Sequence, residues 1–546
     1  MSIAVESNLA YWSKDVSRPV LEVTTGEALR ISAMRFPSRT ALVEVVPTGI
    51  GSFSGATSTS RRWTYQELLE SAERCANWLL TKFTQGDRIC VWAPNIPEWV
   101  ILQYGAAMAG LVLVTANPAL KASELSYVLK QSKAAGIFYT SQFRSVNMDE
   151  VVESVAESST FKFRFDEWQS EVDCFSGKNA LPSVLPSDPA QIQYTSGTTG
   201  QPKGALLHHR GLVTNAFLVS ERAGINGSVV ISPMPLFHTA GSVLSSLGCI
   251  VSGSTYVLPL LFEPELVMGA IEREKCAAIF GVPTMQLAML EHPKRVSFDL
   301  SSLVVAISGG APVPPELLRR IEEGFHCDLL NVYGQTECSP IICQTSPSDS
   351  LEDKANTVGR PLPQAEVRIA SDSGASCALG QEGEIQVRGY QCMLGYFELP
   401  AATTAAFTAE GWLRTGDLGV MDDRGYVKVT GRLKDMIIRG GENIYPVELE
   451  SRLMEHPSLV QAVVFGQKDD RWGEVVSAAI QLRAGAPMLT VEELREFCKT
   501  RMAPHKIPSR WFIADSFPMT GSGKIQKFRM QEFKDFGALK ELVPIS

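Results

Sequence analysis

The sequence predicts an α/β protein: a large N-terminal domain of α/β subdomains with a small β-rich subdomain, then a small α+β C-terminal domain. Three observations carry this reading. Between about residues 20 and 115, segments of helical apolar period alternate with short apolar runs, the pattern of a largely parallel sheet covered by helices. Glu384-Ile385-Gln386-Val387 and Tyr426-Val427-Lys428-Val429 instead alternate as antiparallel strands do, which marks the β-rich part. Beyond Gly431-Arg432-Leu433-Lys434-Asp435 lies a further unit of about 110 residues, a normal size for one domain. The expected division is therefore residues 1–433 and 434–546.

A helical pattern follows Thr24-Thr25-Gly26-Glu27, and Ala41-Leu42-Val43 is a strand. Pro47 to Ser60 is a Gly/Ser/Thr-rich loop. Thr64, with Glu67 three residues on, predicts the capped start of the next helix. Asp87–Trp92 reads as a strand, Pro97 opens a helix, and Leu111–Val114 is a buried strand. Residues 144–188 are acidic and short of periodicity, which predicts peripheral structure. Ala240–Leu261 is apolar but broken by Gly241, Gly248, Ser252, Gly253 and Pro259, so a buried helix and a strand fit it better than a membrane span. The C-terminal unit reads as a helix Pro446–Leu453, strands around Val460–Phe465 and Val475–Leu482, and a helix Val491–Met502.

With 45% apolar and 20% charged residues the chain is an ordinary soluble globular enzyme in composition. A net charge of −9 without a basic stripe argues against a nucleic-acid partner. The 11 cysteines form no CxxC pair and fit reduced thiols in a cytosolic compartment. The first residues carry neither a basic nor an apolar signal region, so a cytoplasmic protein without a transmembrane segment is expected. Of 7 histidines only His208-His209 cluster, which is no zinc-ligand spacing.

The richest stretch is Tyr194-Thr195-Ser196-Gly197-Thr198-Thr199-Gly200-Gln201-Pro202-Lys203-Gly204. Glycines let backbone N–H groups converge on an anion, the hydroxyls add donors to phosphate oxygens, and Lys203 adds a point charge. It lacks the Walker spacing, and as a bare run it also reads as a surface loop. Leu303–Ser308 is a strand running into Gly309-Gly310-Ala311-Pro312, where a flat backbone could face a planar group. Leu329–Val332 leads to Tyr333-Gly334-Gln335-Thr336-Glu337, where Tyr333 could stack on a base and Thr336 and Glu337 could offer oxygen to a hard cation. His238 ends a Pro-rich turn, Asp417 sits beside Gly416, and Lys524 lies on a Gly/Ser loop. Each of these alone has an ordinary structural explanation.

Together, from about Thr24 to Lys527, they resemble the adenylate-forming superfamily of acyl-CoA synthetases, adenylation domains and luciferases. Thr195–Lys203, Tyr333–Glu337, Thr415-Gly416-Asp417, Gly431–Asp435 and Gly521-Ser522-Gly523-Lys524 carry the resemblance in order. Gly440-Gly441-Glu442-Asn443-Ile444-Tyr445-Pro446 is typical of the fatty-acyl and related carboxylate–CoA ligases.

The resemblance implies ATP, Mg²⁺ and coenzyme A acting on a small-molecule carboxylic acid through an acyl-adenylate. It implies Thr195–Lys203 on the β,γ-phosphates and Glu337, with Thr336, at the metal. Tyr333, Gly334, Gly310, Ala311 and Pro312 would lie by the adenine, and Asp417 with Arg432 by the ribose. Lys524 would be the catalytic cation, Lys434 the hinge of a mobile C-terminal domain, and Gly440 and Gly441 the wall of the CoA tunnel. His238, Gly241, Gly310, Gly334, Cys338 and Ile341 would border the acyl group. Neither Thr239–Val243 nor Cys338–Ile342 contains Arg or Lys, so an apolar acid is expected over a dicarboxylate. A carrier protein as acyl acceptor, a noncatalytic nucleotide-binding homologue and a homo-oligomeric state stay open on sequence alone.

Overall fold

The computed structural model describes all residues except 1–7, 51–52, 54–59, 196–200, 312, 314, 441, 470, 484, 520–524, 536 and 543–546, and the side chains of 528 and 531. Two large sheets dominate. Strands Thr40–Val45, Val229–Ile231, Thr255–Pro259, Ala278–Gly281, Val305–Gly309 and Asp328–Gly334 form the parallel heart of a nine-stranded sheet, extended by antiparallel strands at both edges. Arg88–Trp92, Val112–Ala116, Gly136–Tyr139, Phe161–Arg164 and Pro189–Thr195 are the parallel strands of a seven-stranded sheet.

Helices Tyr65–Leu79 and Pro97–Met108 pack against each other, and the second is buried along its whole length, consistent with its lack of a polar face. Thr64 caps its helix as expected: its hydroxyl accepts from Glu67 N–H at 3.2 Å, and Glu67 Oε2 accepts from Thr64 N–H at 2.8 Å.

The β-rich part is a five-stranded antiparallel sheet. Leu413–Met421 separates the two strands anticipated there, and Tyr11–Trp12, from near the start of the chain, forms its edge. Its last strand ends at Arg432, and after the turn Leu433–Asp435 the next strand, Ile437–Arg439, joins a separate six-stranded sheet. That sheet and helices Pro446–Leu453 and Val491–Lys499 enclose their own apolar core, including Leu449, Val464, Ile480 and Leu494.

Residues 144–188 reach the edge of a sheet, in keeping with peripheral structure, but contain more regular structure than their pattern suggests. Phe161–Arg164 is an edge strand of the seven-stranded sheet, and Phe163, Phe165 and Trp168 are buried among Trp78 and Phe138. Aromatic burial rather than periodicity ties this stretch down. The apolar run after residue 239 begins as a π-helix, Ala240–Leu247, continues as Gly248–Ser252 and ends in the strand Thr255–Pro259. No described helix is long and apolar enough to cross a membrane.

Candidate active site

The candidate site gathers where strands of the two large sheets end. Thr195 closes one strand and Lys203 opens its antiparallel partner, so the two residues pair across the ends of the hydroxyl-rich loop. Tyr127 Oη donates to the Pro202 carbonyl at 2.9 Å. Ser196, Gly197, Thr198, Thr199 and Gly200 lie outside the described residues.

Glu337 follows the end of strand Asp328–Gly334 on a short turn, Thr336–Cys338, in which Thr336 and Glu337 are both buried. Its Oε1 accepts the Tyr396 hydroxyl at 2.8 Å and the Thr195 hydroxyl at 3.4 Å. Tyr396 also lies under Lys203, whose Nζ is 5.1 Å from the ring centroid. Burial and the neighbouring Glu337 carboxylate push the Tyr396 phenol well above its ordinary value, so it stays a donor. Sequence reasoning missed Tyr396. It is 59 residues from Glu337, and the pairing of strand Gly395–Tyr396 with Lys203–His208, with a Met393 N–H bond to the Glu337 carbonyl, brings it there.

Asp417 stands opposite Arg432 on neighbouring antiparallel strands. Its Oδ1 is 2.8 Å from Arg432 Nε, and its Oδ2 accepts the Tyr333 hydroxyl at 2.9 Å. The carboxylate is 4% exposed, yet each oxygen keeps a further lone pair, enough for two more donors. Asp417 in turn raises the Arg432 guanidinium above its usual value, keeping it charged. Lys434 is exposed on the turn Leu433–Asp435. Desolvation and Arg432 push its ammonium below the ordinary value, against the pull of Asp435, Asp417 and Glu337. Lys434 therefore lies within electrostatic reach of both site carboxylates.

Gly334 is dictated by packing, because a Cβ there would sit 2.0 Å from the Pro340 carbonyl oxygen. Gly310 adopts a φ of 80°, and Ala311 beside it is exposed. His238 Nδ1 accepts from Ala240 N–H at 3.2 Å, which leaves the ring proton of the neutral form on Nε2. Cys338 is wholly buried and its thiol pushed well above the ordinary range, and Ile341 is 4% exposed. Gly241 is buried, and a Cβ on it would meet the Pro235 carbonyl oxygen at 2.2 Å. The close approach of that main chain, and not an open pocket, uses the space its missing side chain leaves.

Gly440 donates to the Trp472 carbonyl at 2.8 Å, and the exposed Trp472 ring lies beside Arg439 and Arg471. Pro312, Gly441 and Lys524 lie outside the described residues.

A buried carboxylate with spare acceptors beside a tyrosine, a second carboxylate and a hydroxyl-rich loop defines a nucleotide-handling enzyme. The AMP-binding enzyme family matches residues 29–397, and the AMP-binding enzyme C-terminal domain family matches residues 448–524. The chain belongs to the AMP-binding enzyme family. It is 36% identical over 563 residues to the mitochondrial medium-chain acyl-CoA ligase ACSF2 of Macaca fascicularis, over 96% of this chain and 89% of that one. The o-succinylbenzoate CoA synthetase of Bacillus subtilis, solved with its acyl-adenylate intermediate, is 30% identical with a TM-score of 0.78 over 94% of this chain and 98% of that one. The same enzyme solved with ATP and magnesium ion is 30% identical with a TM-score of 0.79, over 94% and 100% of the two chains.

Proposed function

We propose that this chain is an AMP-forming carboxylic acid–CoA ligase acting on a mainly apolar, medium-chain or aromatic acid. The observations that support it most are the convergence of Tyr333 and Arg432 on buried Asp417 and the contact of Glu337 with Thr195 at the end of the Thr195–Lys203 loop. A carboxylate oxygen attacks the α-phosphorus of ATP, the bond to pyrophosphate breaks, and the acyl group gains AMP as a leaving group. The CoA sulfur then attacks the acyl carbonyl and AMP departs.

In this reading Asp417 accepts both ribose hydroxyls, and the half-exposed face of Tyr333 lies by the adenine together with Gly310, Ala311 and Pro312. Lys203 and the loop hydroxyls hold the β,γ-phosphates. Glu337 fits Mg²⁺ carried by the nucleotide: one buried carboxylate beside a threonine hydroxyl leaves the remaining positions to water and phosphate oxygens. Among the described residues no cluster of three His, Cys, Asp or Glu side chains offers an all-protein cage. Bound there, the ion would neutralise phosphate charge. Lys524 stabilises charge at the α-phosphate in the first step. Residues 434–546 then turn about Lys434 against residues 1–433, withdrawing Lys524 and bringing Gly440 and Gly441 to the pantetheine.

The acid follows from the relative's medium-chain substrate class and from the lack of Arg or Lys in Thr239–Val243 and Cys338–Ile342. Pyrophosphate release across an acid panel tests it. Medium-chain aliphatic or aromatic acids should turn over fastest, and fastest turnover with malonate or succinate would overturn the assignment.

A further inference from the structure

Lys527 lies three residues beyond Lys524 in the sequence. Its Nζ meets both oxygens of Glu450, at 2.7 Å to Oε1 and 2.8 Å to Oε2. Glu450 Oε1 also accepts the Val464 N–H at 2.8 Å. One carboxylate thus joins the helix Pro446–Leu453, the strand Leu459–Asp469 and the turn Lys527–Arg529. The Glu450 and Lys527 side chains are 14% and 24% exposed. Taking such a pair out of water costs about as much as its attraction returns, so an apolar pair would serve stability as well. What an ion pair adds is register, fixing one turn against one helix.

The loop this turn follows is closed at its base. Met519 and Ile525 form an antiparallel bridge, and Gln526 N–H donates to the Pro518 carbonyl at 2.8 Å. Lys527 then anchors the exit. The anchor is thus three residues along the chain from Lys524. Burial raises the Glu450 carboxyl, Asp435 adds to the rise, and Lys527 opposes it.

We propose that Glu450, through Lys527, is a positioning residue for the loop that carries Lys524, and that it serves adenylate formation rather than thioester formation. This rests on the role given to Lys524 above. A side chain acting on a transferring phosphoryl group tolerates little displacement, and a misplacement of about 1 Å costs on the order of 100-fold.

Two assays on the full chain separate the half-reactions: carboxylate-dependent ATP–pyrophosphate exchange, and acyl transfer to CoA from supplied acyl-adenylate. Glu450→Gln keeps an acceptor for Val464 but loses the charge. It should lower the exchange kcat by about 10- to 100-fold with KM for ATP and acid unchanged, and leave acyl transfer within about twofold. Lys527→Gln should repeat the selective loss, covering the case in which Glu450→Gln fails to fold, and Lys527→Arg should restore exchange. Equal losses in both assays, or full exchange in folded Glu450→Gln or Lys527→Gln, would overturn the proposal. Lys524→Ala is run alongside: if it keeps full exchange, the Lys524 assignment fails and this inference with it. If Lys524→Ala loses exchange while Glu450→Gln and Lys527→Gln keep it, the positioning role alone fails.

Discussion

The hydroxyl of Tyr333 donates to Asp417, so on the proposed function a single oxygen atom links the base side of the nucleotide site to its sugar side. Tyr333→Phe keeps the ring and removes that donor from a buried carboxylate, a loss of about 1–2 kcal/mol. KM for ATP should rise about tenfold with kcat little changed, as steady-state kinetics will read; an unchanged KM would separate the tyrosine from ribose binding.

His209 offers a test of a different kind. It is wholly buried, its Nδ1 accepts from Thr25 N–H at 3.3 Å, and burial pushes its pKa down from 6.5 to about 4. Because the folded value is depressed, the unfolded chain binds more protons between those limits, and the contribution to stability is lost as pH falls below 6.5. Denaturant unfolding should show the wild type losing about 1 kcal/mol more than His209→Asn between pH 7.5 and 5.5. Parallel losses in the two proteins would contradict the buried neutral imidazole.

Elements whose cause is local were legible in the sequence. The Thr64–Glu67 cap, the Pro97 helix start and the glycine turns after the strands at residues 305–309 and 328–334 each depend on residues within a few positions. What escaped depends on distant partners. Tyr11 reaches Glu366 across 355 residues to seat an edge strand, and Tyr396 joins Glu337 through long-range backbone pairing. At Ala240–Leu247 the buried helix was legible but its π period was not, because an apolar run buried on nearly all sides has no polar face from which to read a period. In that helix a Cβ at Gly241 would collide with the Pro235 carbonyl oxygen. Gly241→Ala should lower stability by about 1–3 kcal/mol, by forcing the chain at Pro235 away, and depress activity with every acid alike. Thermal unfolding and an acid panel check it, and a stable enzyme with only a narrowed acid range would contradict it.

At the scale of the whole molecule, Arg483 ties the C-terminal part to the N-terminal part. It donates to Glu291 Oε1 at 2.9 Å, an oxygen shared with Arg320 at 2.8 Å, and these half-exposed charges hold the parts together only modestly. The covalent connection at Leu433–Asp435 is therefore the pivot to examine. Lys434→Pro fixes φ near about −65° at the proposed hinge. It should keep ATP–pyrophosphate exchange and lose acyl-CoA formation, while Lys434→Ala, equally uncharged but free to rotate, should retain both to a larger degree. Wild-type acyl-CoA formation by Lys434→Pro would remove the hinge.

On the proposed function, one site first makes an acyl-adenylate and only then uses CoA. The most direct test of that order is isotope exchange between pyrophosphate and ATP with a medium-chain acid and no CoA, followed by product analysis once CoA is added. Acid-dependent exchange without CoA is expected, then AMP and acyl-CoA in equal amounts. Exchange that requires CoA, or ADP as the nucleotide product, would contradict it.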